Sequence, residues 1–562
     1  MASCESMVPR LPSAAVLLAL WPALGCVETP VPVQYWPDGP PQAGEADGGD
    51  GGDGGGVDTG ADPPAGPLDP VPLLARLSLD LRGTRPTLDE IAAVQADPDA
   101  LSGLVDAFLA DARWRDRVLH TWNDAFHTVA WAAAYERFGE LPPEQVRAMG
   151  AAPVRMAAAI AWEDRPFTDL VTAEQIQGNS ALAELWGIPG PDAPDADGWG
   201  WMDWPDGRPM AGVLSSSVLW LRYAPDELQR NRVRANALAT TLLCADFLAR
   251  EGSFEFNVDV DALTDVEDAV ASQGECLACH AALDPLASFF GGFTWKSEIL
   301  DRERYVRWSD HLADKAAGVQ RPAYYGVPAD DLSGLGQLVA ADPRFARCGA
   351  ERFYRGVVGA APDPATLGAL TEGWVADGMV ARALVEDIVA LDAYAAADPR
   401  VLTPEQLSSA LTDLLALPPT DPGSRITQGL DALVWSGEHR VLGGGTDDRT
   451  VLDRDRSPGL GMQVLLAWAA RSGADEGVRL DLERPLGERA LVTAAADAPE
   501  EDVRAALARL YTRFLTTPVA ADSDEVDRLW GLWQAAGGGS DLQGAWSTVV
   551  EGLIRHPSMV RY

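Results

Sequence analysis

From about Pro70 onward, apolar residues recur at helical spacing. Leu101, Leu104, Val105, Phe108 and Leu109 fall at i, i+3, i+4, i+7 and i+8, one buried face of a helix. Leu238, Leu242 and Leu243 repeat the spacing, as do Val380, Leu384, Val385, Ile388 and Val389. Alternating runs that would suit strands are scarce, and Asp-Pro, Asp-Gly and Gly-rich breaks separate the helical stretches. The pattern predicts a mainly α protein.

One arrangement recurs. Arg76-Leu77-Ser78 is followed by Gly83, Pro86 and Glu90 and an apolar helix through Leu109. Arg352-Phe353-Tyr354 is followed by Pro362 and a helix ending LVEDIVALDAY, and Arg509-Leu510-Tyr511 by Pro518 and a helix ending VVEGLIRHPSMVRY. Each reads as a helix, a Pro-containing turn and one or two further helices. The expectation is a multi-unit protein of repeated helix–turn–helix units.

The N-terminus has a different character. Leu11 to Leu24 is a short apolar run with Arg10 before it and Gly25-Cys26 after it, the layout of a secretory signal. Ala23-Leu24-Gly25-Cys26 resembles a bacterial lipobox, which implies a lipidated Cys26 as the mature N-terminus. Val27 rather than Asp after it implies the outer membrane. Translation from Met7 rather than Met1 would leave the signal intact and omit Cys4. Tyr35 to Pro67 is Gly, Asp, Pro and Ala, too poor in apolar residues to fold, and predicts a disordered acidic tether. Its Asp-Gly repeats lack the ligand spacing and closing Glu of an EF-hand.

Composition narrows the function. The 562 residues carry 44 Lys+Arg against 84 Asp+Glu, a net charge of −40. Such a field repels phosphate chains and argues against nucleic-acid partners. It suits docking to a basic redox protein. Lys296 and Lys315 are the only lysines, so a catalytic lysine has few candidates. No GxSxG, HExxH or Walker sequence is present. Many of the 19 Trp sit at helical spacing with other apolar residues, as core residues do. Glu251, Glu255, Asp259, Asp261, Asp265, Glu267 and Asp268 read as a solvated acidic loop.

The sharpest chemical motif is Cys276-Leu277-Ala278-Cys279-His280. With six Cys and six His in 562 residues, chance would place it in roughly one such chain in a thousand. Two thiols three residues apart reach both vinyl groups of a haem, and the adjacent His places an imidazole on the iron. Thioether attachment happens outside the cytoplasm, in agreement with the signal sequence. The cofactor expected is therefore haem c. A Cys276–Cys279 disulfide with a structural His280, and a zinc site, are the alternatives. No Met lies between Met210 and Met379, so the second axial ligand is open. His311 is the nearest downstream candidate, while His120, His127, His439 and His556 reach the iron only through the tertiary fold. Cys244 and Cys348 remain, as a disulfide or as two buried thiols.

Several stretches together resemble the planctomycete-type cytochrome-associated domains of large extracytoplasmic proteins, also abundant in myxobacterial lipoproteins. Arg76-Leu77-Ser78-Leu79-Asp80-Leu81-Arg82-Gly83 with Pro86-Thr87 and Glu90 looks like that family's opening. Arg165-Pro166-Phe167, Leu170 to Ala173, Asn179, Leu182-Ala183 and Trp186-Gly187 look like its second block. Gly212-Val213-Leu214, Leu242-Leu243-Cys244, Cys276 to His280 and Asp284-Pro285 look like its C-x-x-C-H-x-x-x-D-P block, and Arg352-Phe353-Tyr354 and Arg555 to Arg561 like its closing helical units. Ala287, Gly291 and Thr294 stand where the family carries Gly, Glu and Asp. The resemblance implies a redox-linked envelope protein and supplies no substrate.

These readings divide the chain into a lipoprotein signal peptide (1–25), a disordered linker (26–69), an N-terminal helical domain (70–210) and a CxxCH-bearing domain (211–330). A helical repeat unit (331–402), an irregular or helical connecting region (403–500) and a C-terminal helical repeat unit (501–562) follow. The expected function is electron transfer or other redox chemistry by a cell-envelope lipoprotein, held to the membrane by its N-terminal lipid. The alternative is a non-enzymatic structural or binding module in which CxxCH is a disulfide. A haem peroxidase or a polysaccharide-directed enzyme is a third reading, and whether the protein is an enzyme is open at this point.

Overall fold

The computed structural model describes residues 67–132, 141–205, 207–223, 231–247, 274–293, 321–396, 399–418, 421, 423–455, 457 and 459–562, without the side chains of 274–279. Cys26, the signal and tether, the acidic loop, Lys296, Lys315 and His311 lie outside these residues.

Helix ends follow local chemistry. Thr87 and Glu90 form a reciprocal capping box at the start of Leu88–Ala96, and Thr403 and Gln406 do the same for Pro404–Leu414. Asp342 and Asp363 cap Pro343–Val358 and Pro364–Ala376, each with Pro in the first turn, where its missing N–H costs nothing. Gly83 and Gly359 close their helices in the left-handed conformation that glycine adopts without strain. These two Asp-Pro pairs are thus helix starts, whereas Asp284-Pro285 lies inside the helix Gly274–Ser288. Two short antiparallel pairs are the only sheets among the described residues, Ile176–Gly178 with Gly200–Met202 and Ala323–Tyr324 with Val327–Pro328.

The recurring unit is a three-helix element seen three times. Pro70–Arg82, Leu88–Ala96 and Ala100–Leu109 make the first, and Pro343–Val358, Pro364–Ala376 and Ala381–Val389 the second. Glu500–Leu515, Asp524–Ala535 and Leu542–Ile554 make the third. In each, the leading helix packs on the two that follow. The third helices share a sequence pattern: Leu104-Val105-Asp106-x-Phe108-Leu109, Leu384-Val385-Glu386-x-Ile388-Val389 and Val549-Val550-Glu551-x-Leu553-Ile554. Phe108, Ile388 and Leu553 are buried at the equivalent place.

The first two units share one large core with Ala112–Phe126 and Pro143–Trp162. Trp122 is its hub, with ring centroids 5.0 Å from Phe167, 5.5 Å from Phe126 and 6.0 Å from Phe353. Trp114, Trp122, Trp220, Trp374 and Trp546 are fully buried, so these tryptophans are packing residues. A second core joins the third unit to Pro404–Leu414, Arg425–Trp435 and Leu460–Leu482. A smaller one gathers Trp186, Trp199 and Trp204 under the helix Pro143–Trp162.

The units converge on one buried carboxylate. Asp80, on the leading helix of the first unit, accepts hydrogen bonds from Tyr394 Oη (3.0 Å), Tyr562 Oη (2.7 Å) and Arg400. Tyr394 follows the second unit and Tyr562 the third. Gln406 Nε2 adds bonds to Leu79 O (2.9 Å) and Tyr562 Oη (3.1 Å). Burial beside Asp80 pushes both phenols above their usual range, so they remain neutral donors.

Candidate functional site

Cys276, Cys279 and His280 lie on the helix Gly274–Ser288. Positions 276, 279 and 280 are i, i+3 and i+4, so the motif occupies one face. One turn further on, Asp284 receives His280 Nδ1 at 3.0 Å. Arg232 donates to the same carboxylate through Nε (2.7 Å) and Nη2 (2.9 Å). Burial pushes the Asp284 carboxyl up, but the bonds from His280 and Arg232 outweigh it and hold the group down at about 2. A carboxylate only accepts, so in the neutral ring Nδ1 carries the hydrogen and Nε2 keeps its lone pair.

The end of this helix is anchored in the main core. Leu286, Phe289 and Phe290 are buried, and Phe290 lies 4.3 Å from Trp220 between ring centroids. Arg234 is itself buried and donates to Trp220 O (3.0 Å), Phe290 O (3.3 Å) and Phe293 O (2.9 Å). Two arginines two residues apart at the start of Arg232–Leu242 thus hold both His280's partner and the segment after its helix. At the other end of Arg232–Leu242, Cys244 is bonded to Cys348, with Cα atoms 5.3 Å apart across 104 residues of sequence. Closing a loop of that length is worth about 4–5 kcal/mol in the chain-entropy account. It ties the His280 region to the second repeat unit.

Three other histidines have local partners. His439 Nδ1 lies 2.9 Å from Ser436 Oγ, and His556 Nδ1 accepts from Ser558 N at 3.2 Å. His127 Nδ1 is 3.5 Å from Asp448 Oδ1. Among the described residues no three His, Cys, Asp or Glu side chains gather as a metal site, and no helix is long and apolar enough to cross a membrane.

A second site was not apparent in the sequence. Where Ala112–Phe126 faces residues 399–455, a chamber of about 410 Å³ opens. Arg117, His120, Thr121 and Asp124 line it from one helix face, with Asp80, Arg355, Arg400, Arg454 and Asp455 opposite and around them. A neighbouring cleft of about 370 Å³ shares Thr121, Asp124, Arg355 and Arg454 and reaches Cys244. Beneath lies a buried charge cluster. Arg454 donates to Asp124 (Nε, 2.6 Å) and to Glu405 (Nη1, 2.9 Å; Nη2, 3.2 Å). Arg440 pairs with Glu405 at 3.1 Å and with Asp448 at 3.5 Å. Burial, aided by the charges of Arg117, Arg440 and Arg454 and opposed by Glu405, holds His120 down at about 3, so it is neutral near pH 7, and its buried Nδ1 has no partner. The one available signal was the polar spacing 117, 120, 121, 124 on a single helix, which also describes an ordinary solvated face.

No curated protein and no solved structure matches the chain. One family model does, over residues 59–182, which contain the Arg76–Glu90 opening and the Arg165–Asn179 block and end well before Cys276. That stretch of the chain matches the model of PSCyt2, a protein of unknown function (DUF1549).

Proposed function

We propose that this protein is a lipid-anchored cell-envelope redox protein that carries a covalent haem c at Cys276, Cys279 and His280. The observation that carries the reading is the chain from Arg232 through Asp284 to His280 Nδ1, next to a Cys-x-x-Cys-His sequence on the same helix. A carboxylate on Nδ1 fixes the ring and raises the basicity of Nε2, as partners of metal-bound imidazoles do. The residues therefore fit the group: Cys276 and Cys279 would form the thioethers and His280 would be the proximal ligand. Bound haem supplies one-electron redox chemistry. Asp284 keeps the proton on Nδ1, and Arg232 keeps Asp284 ionised and in place. His311, outside the described residues, is the candidate for a second iron ligand. Cys26 would carry the lipid, placing the protein at the outer membrane, and the −40 net charge suits a basic redox partner. Such a complex should weaken sharply as salt rises, and salt-independent association would count against it.

The test is a haem stain on a denaturing gel with a visible absorption spectrum, after export into a periplasm with cytochrome c maturation. A stain that survives denaturation and disappears in Cys276→Ala/Cys279→Ala is the expected result. A folded, colourless protein would overturn it. One observation favours a structural module with a Cys276–Cys279 disulfide: Arg232–Asp284 already serves as a plain brace between two helices. That reading predicts the colourless outcome.

A further inference from the structure

We infer that the chamber between the helix Ala112–Phe126 and residues 399–455 is a binding site for a small hydroxylated oxyanion, a sugar acid or sugar phosphate. Its volume, about 410 Å³, suits a small molecule. The argument rests on which polar groups are already used. Asp80 is occupied by Arg400 and two tyrosines, and Asp124 Oδ2 by Arg454. Arg355 pairs with Glu351 at 2.8 Å, and Asp455 accepts from Ser457. Arg117 spends only Nε, on Asp80 O at 3.2 Å, and forms no ion pair among the described residues. Arg400, nine-tenths buried, bonds through Nη1 and leaves Nε and Nη2 without partners.

Buried donors without acceptors carry an uncompensated desolvation cost, which an arriving oxyanion recovers. Guanidinium groups are the fitting partners for carboxylate and phosphate. Two further groups specify more. Asp124 Oδ1 is buried and accepts from nothing, and His120 Nδ1 is buried and unpartnered. A carboxylate without a donor and a neutral imidazole call for hydroxyl groups beside the charged end. Hence the ligand class is a hydroxylated anion rather than a plain one. The adjoining cleft past Arg355 leaves room for a longer chain.

The experiment is calorimetric titration of the full chain with gluconate and, separately, glucose 6-phosphate, at low and matched ionic strength. Saturable binding of at least one is expected, and the pair of arms tells carboxylate from phosphate recognition. Butyrate, which lacks hydroxyls, should bind more weakly. Arg117→Gln should weaken binding by about tenfold or more, the worth of one charge-assisted hydrogen bond. A single main-chain bond ties Arg117 to the fold, and circular dichroism checks that the variant is folded. Arg355→Gln, on another helix, gives an independent and smaller loss, because its half-exposed pair with Glu351 is weak enough to be exchanged for the ligand. No saturable heat with either anion, equal heat from sodium chloride, or wild-type affinity in both variants would overturn the inference.

Discussion

Two carboxylates in this protein each meet one arginine and one histidine, at different depths. Asp284 is partly exposed and is held by two close contacts, Arg232 at 2.7 Å and His280 at 3.0 Å. Asp448 is fully buried, and Arg440 and His127 stand off at 3.5 Å. Neutral donors do the close work there: Asn123 Nδ2 (3.1 and 3.0 Å), Ala130 N (2.7 Å) and Thr446 Oγ1 (2.7 Å). Near water, two or three strong contacts suffice. In the interior, every lone pair needs a partner, because desolvation otherwise exceeds the ionic gain. Burial pushes the Asp448 carboxyl up, yet Arg440, His127 and Asn123 bring it far below the usual range.

Mutation at each site tests the contrast, and the buried one should respond most. Asp448→Ala leaves Arg440 buried beside Glu405 alone and should cost about 3–5 kcal/mol in urea unfolding. A loss below about 1 kcal/mol would mean that water reaches the buried Asp448 site and solvates Arg440. Replacing Cys244 and Cys348 together by Ser should cost about 2–5 kcal/mol, with reductant having no further effect on the variant.

His120 sharpens the comparison through pH. Its folded state stays neutral down to about 3, while an unfolded histidine titrates near 6.5. Between those values the unfolded chain binds more protons, so stability falls as pH drops from 6.5 towards 3. His120→Gln should flatten this slope by up to about 1.4 kcal/mol per pH unit. Unfolding curves at several pH values that run parallel in the two proteins would remove His120 from the account. The smallest effect is expected at Asp284. Asp284→Ala should cost about 1 kcal/mol, since its partners can turn to solvent.

Much of the fold was legible because its signals are local. The helix at 100–109 was marked by five apolar residues on one face, although only Phe108 and Leu109 become fully buried. The repeat was visible in Arg76, Arg352 and Arg509 with their following prolines, and its three-helix form needed the pairing of helices to emerge. The CxxCH motif was legible in the sequence, and Asp284 through the resembled family's C-x-x-C-H-x-x-x-D-P block, whereas the helix that carries them and the His280–Asp284 contact were not. The chamber was not legible, since Arg117, Arg400 and Arg454 come from three distant segments.

The sequence by itself determined the helical class, the caps, the three recurrences and the spacing of Cys276, Cys279 and His280. All of these depend on residues within a few turns of one another, where backbone geometry alone sets the neighbours. Tertiary structure decided that Cys244 meets Cys348, that Tyr394 and Tyr562 meet at Asp80, and that four arginines face one cavity. Tyr562 and Asp80 are 482 residues apart in the chain. Such meetings follow from how apolar helix faces pack, a collective outcome that no single stretch of residues encodes.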